Sequence, residues 1–339
     1  MVDSKHPSSG KIQLSQDMTI TPIAAESLGV RSLATHVQTS DISLLIDPGV
    51  ALGFRDGFHP HPKEYQCLET LQQRILHIGS TTDVIVVSHF HHDHFLPFYH
   101  NFAYFWSGRE LASRLYSKRA IWCKDIRSNI NYSQQSRGYN FVRSVRKIAQ
   151  NVAYADGRAT KYNNTLLRFS PPVPHGEKNT KLGWVVMTAI KCGDFSVIHA
   201  SDTQGPMERT TGDWILGQNP DVLLLAGPPT YLVPDRVSVK VISRAAENLQ
   251  ALAETIPMII VDHHLLRDQA WRDWLDPVRQ HASDHGNQVM TAAEVLGLPD
   301  NLLEATRVSL YEQSPVTKAF EDWVKQVQGN RTSTPPPLP

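Results

Sequence analysis

Four histidines and one aspartate crowd into positions 89 to 94 of the stretch VVSHFHHDHF. His89, His91, Asp93 and His94 fit the spacing HxHxDH, for which a chance match in this chain is expected on the order of 2 times in 1000. Neutral imidazoles and a carboxylate are ligands that zinc and similar divalent ions prefer. Alternate residues that leave a strand can direct two rings at one ion, while their neighbours point the opposite way. The motif therefore predicts a metal site with two ions; a His-rich surface loop without metal is the alternative.

The motif lies at the end of a short apolar run, and three other such runs end in the same manner. The residues at which the four runs end are Asp47, His89, Asp202 and His263. Runs of this length are typical of strands that are buried on both faces, in a sheet between helices. Amphipathic patterns between the runs predict the covering helices. Because open α/β sheets usually hold their sites beyond strand ends, the sequence predicts an α/β fold with its site on those loops.

Size and composition are those of an ordinary globular protein. The 339 residues include 33 basic and 33 acidic side chains, so net charge alone indicates neither a nucleic acid nor a membrane partner. Three widely spaced cysteines fit reduced thiols. No run is long enough to span a bilayer and the start lacks an apolar signal core, so we expect a cytoplasmic protein. Polar composition predicts disordered tails at 1–16 and 329–339, on either side of one domain at 17–328.

Beyond the motif, the chain resembles the metallo-β-lactamase fold superfamily, whose hallmark is HxHxDH. Other family motifs follow in order, as LLIDPG, PPVPHG, HASDTQ and IIVDHH. The stretches ESLGVRSLATHVQT, GPPTYL and DHHLLRD are similar to a prokaryotic, chiefly archaeal, group of metal-dependent hydrolases within that superfamily. The resemblance extends from about residue 19 to about residue 285. It implies an αββα sandwich, in which two mixed sheets pack face to face and helices cover both outer faces.

The resemblance also implies a centre with two metal ions. The implied ligands are His89, His91 and His175 for a first ion, Asp93, His94 and His263 for a second, and Asp202 as the bridge between them. His264 is the alternative to His263, which is preferred because it is nearer the strand. Asp47 would orient a ligand imidazole, or it would only open the turn Asp47-Pro48-Gly49, and both roles can hold together. Zinc is the first choice of metal, with manganese and iron as alternatives.

Two divalent ions that share Asp202 would lower the pKa of a bridging water to near neutrality and so supply a hydroxide nucleophile. The same ions would stabilise negative charge that develops on a carbonyl or phosphoryl oxygen. Asp202, Asp93 and Asp47 are therefore the predicted catalytic carboxylates, and no Ser, Cys or Lys nucleophile is required. The sequence contains no G-x-S-x-G elbow, P-loop or G-x-G-x-x-G fingerprint that would indicate another chemistry.

A basic section at about 105–150 is expected to form a helical insertion. From Arg109 to Lys147 it carries ten positive and two negative side chains, interleaved with tyrosine, tryptophan and phenylalanine. Arginine and aromatic side chains suit contacts to phosphates and bases, whereas the alternative is a solvated helix face. The candidate substrate residues of the whole chain are His92, Arg143, Arg146, Lys147, Tyr231 and His264.

The leading functional hypothesis is a binuclear metal-dependent hydrolase that acts on an anionic substrate, either a small phosphodiester or a nucleic acid. Hydrolysis of a small ester, thioester or lactone is the second hypothesis, and oxygen chemistry at a single iron is a more distant one. A non-catalytic binding protein that contains metal is the alternative from a different class. A closed structural site has no need of seven ligands, which argues against that last alternative. The sequence leaves the oligomeric state open.

Overall fold

Two seven-stranded mixed β-sheets form the centre of the protein in a computed structural model that describes residues 10–327 and 332–339. The first sheet has, in spatial order, β1 Ile12–Ser15, β2 Met18–Ala25, β3 Leu33–Thr39, β4 Ser43–Ile46, β5 Val84–Val87, β6 Ala120–Cys123 and β7 Asn151–Tyr154. In the second, the order is β16 Gln288–Met290, β15 Met258–Asp262, β14 Val222–Ala226, β13 Phe195–His199, β12 Thr188–Cys192, β9 Thr165–Phe169 and β8 Ala159–Tyr162. A separate two-stranded ribbon pairs β10 Val173–Pro174 with β11 Trp184–Val185.

Helices cover the sheets where the amphipathic patterns predict them. The helices in the described residues are α1 Pro62–Gly79, α2 Arg109–Tyr116, α3 Tyr132–Val145, α4 Arg209–Leu216, α5 Val239–Ala253, α6 Trp271–Asp284, α7 Ala292–Val295, α8 Arg307–Gln313 and α9 Lys318–Val324. The apolar stripes of α1, α5 and α6 are largely buried against the sheets. Within the described part of the chain, no helix has the length and apolar character needed to cross a membrane.

Alternate residues along the strands of the second sheet face two different layers. Leu224 and Ile260 belong to the main core, which also contains the strands of the first sheet and the buried stripe of α1. Leu223 and Val261 point the other way, into a second core with α5 and α6. Since side chains alternate along a strand, the sheets pack face to face and helices cover each outer face. This is the αββα metallo-β-lactamase architecture that the sequence predicts.

Residues 12–15 and 332–339 are more ordered than composition alone predicts. β1 pairs antiparallel with β2, which corrects the prediction of a disordered tail over 1–16 from residue 12 onward. At the other end, the backbone N–H of Phe102 donates to Thr332 O at 3.0 Å, and the indole N–H of Trp323 donates to Thr334 O at 2.9 Å. The Pro-rich end at 332–339 therefore packs on the domain through these hydrogen bonds, although it has no apolar core of its own. Residues 1–9 and 328–331 lie outside the described residues.

The basic section at 105–150 is not a separate helical insertion. It contributes α2 and α3, but also β6, which pairs in parallel with β5 on one side and β7 on the other. The apolar residues Ile121 and Cys123 of β6 are buried in the main core. The high charge of the flanking helices conceals this strand in the sequence, so the section is an integral part of the first sheet.

Candidate metal centre

The strand ends that carry polar residues meet at one rim of the sandwich. β4 and β5 run parallel in the first sheet, and β13, β14 and β15 run parallel in the second. Asp47 directly follows β4 and His263 directly follows β15, while His89 and Asp202 come a few residues after β5 and β13. The carboxyl ends of parallel strands lie at the same edge, so both sheets deliver their polar residues to a common place.

All seven predicted ligands come together at this rim. Four groups bring potential ligand atoms within 4.8 Å of one another. The groups are His89, His91, His175 and Asp202; Asp47, His89 and His94; Asp93, His94 and His263; and Asp202, His263 and His264. Only Asp202 occurs in both the group that contains His175 and the group that contains His264. This is the place expected for a residue between two ions.

The carboxylate of Asp202 is surrounded by imidazoles. From its Oδ2 atom, the distances to ring Nε2 atoms are 3.0 Å for His175, 3.2 Å for His94, 3.2 Å for His264, 3.6 Å for His89 and 3.7 Å for His263. Burial alone would raise the pKa of Asp202, but the surrounding histidines, His94 and His263 foremost, hold this pKa well below its ordinary value. Asp202 is therefore an anion at the centre of the cluster.

Several buried polar atoms of the cluster have no hydrogen-bond partner in the described residues. They are His89 Nε2, His94 Nε2, His175 Nε2 and Asp202 Oδ1. An unpaired buried polar group is costly, and buried polar groups in proteins are nearly always satisfied. Imidazole nitrogen and carboxylate oxygen are the donors that divalent zinc prefers. The donor set and its unpaired atoms therefore fit a bound divalent cation.

Asp47 fixes one of these imidazoles. Its Oδ2 atom lies 2.9 Å from His94 Nδ1 and accepts a hydrogen bond from Ser88 Oγ at 2.6 Å, while its Oδ1 atom accepts from Ser88 N at 2.7 Å. Ser201 Oγ donates to the same carboxylate at 3.1 Å. Because Nδ1 of His94 is engaged, its Nε2 is the nitrogen left for the cluster. The contact fixes the orientation of the His94 imidazole.

Asp47 also opens the turn that the sequence suggests as its alternative role. Its φ is +49°, in the left-handed region, and Gly49 N donates to its carbonyl at 2.8 Å. A Cβ atom on Gly49 would come within 2.3 Å of the backbone N of Phe95. Glycine is therefore required where this turn packs against the HxHxDH segment, and the two roles of Asp47 hold together.

Positive φ angles recur among non-glycine residues around the cluster. Ser201, Gln204 and His263 adopt φ values of +49°, +55° and +63°, in addition to Asp47. Such conformations cost energy and persist where the surroundings enforce them, most often at functional sites. For His263, the preceding Asp262 supplies part of this constraint, since its Oδ1 accepts from His263 N at 2.7 Å and from Ser27 N at 3.1 Å.

Two orienting residues have no signal in the sequence. Glu26, just after β2, places Oε2 3.4 Å from His263 Nδ1 and accepts from Arg267 Nε at 2.9 Å. Gln134, in α3, places its amide nitrogen 3.3 Å from His91 Nε2 and donates to Leu182 O at 2.6 Å. Gln134 lies in no recognisable motif, and Glu26 begins the stretch ESLGVRSLATHVQT without any pattern that marks it as a site residue. Each reaches the site only through the packing of a distant segment. Only the three-dimensional structure identifies them.

The two adjacent histidines after β15 face different surroundings. His263 is fully buried, and its Nε2 lies 3.3 Å from Asp93 Oδ2. His264 is slightly exposed and lines the cleft above the cluster. Both residues belong to one group of potential ligands with Asp202, but only His264 lines the cleft.

A cleft of about 1330 Å³ opens over the cluster. Of the predicted substrate residues, His92, Tyr231 and His264 line it. The imidazole of His92 stacks on Phe105, with ring centroids 4.2 Å apart and an interplanar angle of 18°. The guanidinium of Arg55 lies 4.4 Å from the ring centroid of Tyr231. His92 and Tyr231 therefore form part of aromatic walls beside the side chains that could bind metal.

Arg143, Arg146 and Lys147, which the sequence predicts to contact substrate, are exposed and lie outside the cleft lining. The reason is helical geometry. Gln134 faces the cluster, and Arg143 comes nine residues later, about two and a half turns along the same helix. Arg143 thus points to the opposite side. The residue of this helix that does line the cleft is Arg137.

The chain is similar to known proteins both in sequence and in structure. A UPF0282 protein of Methanopyrus kandleri is 39% identical over 294 residues, covering 86% of this chain and 99% of the relative. One from Methanocaldococcus jannaschii is 38% identical and covers 89% of this chain and 100% of the relative. The metallo-β-lactamase fold protein YhfI from Bacillus subtilis is similar in structure, with a TM-score of 0.45, 13% identity, and coverage of 81% of this chain and 95% of that one. No protein-family model matches the chain. The two full-length relatives show that the chain belongs to the UPF0282 family.

Proposed function

We propose that the protein is a metal-dependent hydrolase that acts on an anionic substrate of the phosphodiester type. The observation that carries this proposal is that the cluster is open on one side. His91, Asp93, His175 and His264 line the cleft, whereas His89 and the other ligand-type residues lie buried beneath them. A structural metal site is closed by its own ligands, while a catalytic site keeps a position for water or substrate. The open side therefore supports catalysis.

The residues proposed to hold two divalent ions, with zinc as first choice, are His89, His91 and His175 for one ion, Asp93, His94 and His263 for the other, and Asp202 between them. When bound, such ions make water more acidic and withdraw electron density from a substrate oxygen. The protein contributes the fixed directions of its side chains. Asp47 orients His94 and Glu26 lies against His263, so both rings are held before any ligand arrives.

The charge of the cleft supports an anionic substrate. Its lining includes the cations Arg31, Arg137, Lys178, Lys181, Arg236 and Arg267, against the anions Asp93 and Glu177. Arg31 and Arg267 are paired with Glu304 and Glu26, which leaves four cations against two anions in this lining. A cleft with one sign of charge attracts ligands of the opposite sign.

The second candidate, hydrolysis of a neutral ester, thioester or lactone, is favoured by a specific feature of the same cleft. Phe54, Tyr104, Phe105 and Leu232 contribute an apolar and aromatic wall. The side chain of Phe54 is 55% exposed, which is unusual for a phenylalanine and leaves its ring available to a ligand. An uncharged acyl or aryl group would bury this surface.

Activity of the metal-loaded protein tests both candidates. We expect turnover of bis(p-nitrophenyl) phosphate to exceed turnover of p-nitrophenyl acetate, and metal analysis to give two ions per chain. Asp202→Asn should lower kcat roughly 100-fold or more and reduce bound metal, with an unchanged circular dichroism spectrum. Asp221→Asn is the matched control, since Asp221 accepts from Ser196 N at 2.7 Å away from the cluster.

The outcomes separate the hypotheses. Turnover of the acetate ester alone would select the second candidate. If neither substrate were turned over, and removal of metal by a chelator unfolded the chain, the centre would be structural and the hydrolase proposal would be wrong.

A further inference from the structure

Arg137 lies in the cleft without a carboxylate partner. Among the described residues, its guanidinium makes no hydrogen bond and no ion pair, and its Nε atom is buried with no acceptor. Two other arginines of the lining differ in this respect, because Arg31 is paired with Glu304 and Arg267 with Glu26. Burial lowers the pKa of Arg137, and the charge of Asp93 offsets this only in part. A half-buried cation without a counter-ion among the described residues favours the binding of an external anion.

The position of Arg137 is fixed relative to the metal-type cluster by the residues on either side of it in α3. Gln134 lies 3.3 Å from His91 and holds Leu182 O at 2.6 Å. Gly138 packs so closely on Phe90 that a Cβ atom would come within 2.6 Å of the Phe90 ring. Phe90 and His91 belong to the HxHxDH segment itself. The helix turn that carries Arg137 is therefore attached directly to the proposed metal ligands.

We propose that the Arg137 guanidinium binds the phosphate group of the substrate, and that this substrate is a small organic phosphate rather than a nucleic acid. The inference rests on the proposed hydrolase function and names the substrate class of the same site. A guanidinium presents a planar fork of N–H donors that matches two phosphate oxygens, which a lysine does not reproduce.

The distribution of charge on α3 favours the small molecule. A nucleic acid would need a basic surface continuous with the cleft, but Arg143 lies about two and a half turns from Gln134, on the opposite side of the helix. The cleft itself supplies what a small phosphate ester needs. Arg137 meets the anion beside the cluster, and the aromatic side chains of Tyr99 and Phe105 offer surface to the organic part.

The test compares Arg137→Gln with Arg143→Gln, a matched change on the same helix but outside the cleft. Binding of inorganic phosphate to the metal-loaded protein is measured by calorimetry, and KM for bis(p-nitrophenyl) phosphate is measured in parallel. We expect Arg137→Gln to weaken phosphate binding and raise KM by about 10- to 100-fold, and Arg143→Gln to leave both within about twofold of wild type. Arg137→Lys should recover only part of the loss, since it restores charge without the fork.

Two other results would overturn the inference. Equal effects of Arg137→Gln and Arg143→Gln would show that the guanidinium in the cleft has no special role. Acetate that competes as well as phosphate would indicate a carboxylate substrate instead. Failure of the hydrolase proposal looks different: no substrate is turned over, yet calorimetry still shows weaker phosphate binding in Arg137→Gln.

Discussion

The Nδ1 atom of His94 lies 2.9 Å from the Oδ2 atom of Asp47, and both side chains are fully buried. Burial by itself would raise the pKa of Asp47, but His94 lowers it below its ordinary value. The carboxylate is thus ionised and holds the imidazole in one orientation. Asp47 comes from the end of β4 and His94 from the loop after β5, so the pair connects two neighbouring strand ends.

Removing this charge should weaken metal binding without unfolding the protein. Asp47→Asn keeps the size of the side chain but loses the charged acceptor for His94, so we expect metal affinity to fall about 10- to 100-fold. Titration against a chromophoric chelator measures the affinity. Asp83→Asn is the control, because Asp83 also accepts a backbone N–H, from Ser43 at 2.9 Å, but lies away from the cluster. Similar losses in both variants would contradict an orienting role for Asp47.

The adjacent residues His263 and His264 should respond differently to the same substitution. His263→Gln removes a buried ring that contacts Asp93, so we expect metal content to fall by about one ion per chain. His264→Gln changes a residue that lines the cleft, so metal content should remain while kcat falls at least about tenfold. Metal analysis and kinetics on the two variants decide the point, and the reverse pattern would make His264 the ligand.

A buried ion pair outside the cluster should contribute strongly to the stability of the protein. Arg307 donates from Nε and Nη2 to the two carboxylate oxygens of Glu64, at 2.8 Å and 2.7 Å, and both side chains are almost fully buried. Glu64 also caps α1 by accepting from His61 N at 2.7 Å. Arg307→Met leaves this carboxylate unpaired, and we expect a loss of roughly 3–5 kcal/mol in the free energy of unfolding, measured with urea.

The matched variants separate pairing from packing. Arg307→Met with Glu64→Gln removes both charges and retains an acceptor at the cap, so most of the lost stability should return. Arg109→Met removes an exposed arginine and should change the free energy of unfolding by no more than about 0.5 kcal/mol. A double variant as unstable as Arg307→Met alone would mean that packing, not the unpaired charge, causes the loss.

Acid should destabilise the protein through Glu304. Burial alone would raise the pKa of Glu304, but Arg31, which donates from Nε at 2.6 Å, brings it down from 4.5 to about 2. A carboxyl with a lower pKa when folded stabilises the protein above pH 4.5, and this contribution disappears as the pH falls towards 2. We expect a loss of roughly 3 kcal/mol from this group across that window.

Urea unfolding at several pH values between neutrality and pH 2 measures this contribution. Glu304→Gln should be less stable than wild type at neutral pH and should show a shallower decrease on acidification. Glu69→Gln changes an exposed glutamate of α1 and should leave the pH dependence as it is. An unchanged slope in Glu304→Gln would show that other carboxyl groups account for acid destabilisation.

The residues next to strand ends could be predicted from the sequence, whereas those contributed by packing could not. His89, Asp202 and His263 each follow an apolar run, and that local pattern is enough to bring them to one rim. Glu26 and Gln134 reach the site because β2 and α3 pack beside it, and no short-range pattern records such packing.

Charge composition was the least reliable guide. Ten basic residues between Arg109 and Lys147 suggest an anion-binding face, yet the side of α3 that meets the cleft contributes Arg137 alone among the cations of that helix. Composition counts charges without their directions, and the rotation of a helix sends neighbouring charges to opposite sides. The same limitation applies to β6, whose short apolar core is surrounded by charged residues.

The candidate ligands are divided between the two sheets, with His89 and His94 following strands of the first and Asp202 and His263 following strands of the second. An ion held by both sets would act as a cross-link between the halves of the sandwich. Since the donors are far apart in an unfolded chain, such an ion would bind the native state almost exclusively and add about 4 kcal/mol at a thousandfold excess over its dissociation constant. Thermal denaturation would then report on metal occupancy as directly as any assay of turnover.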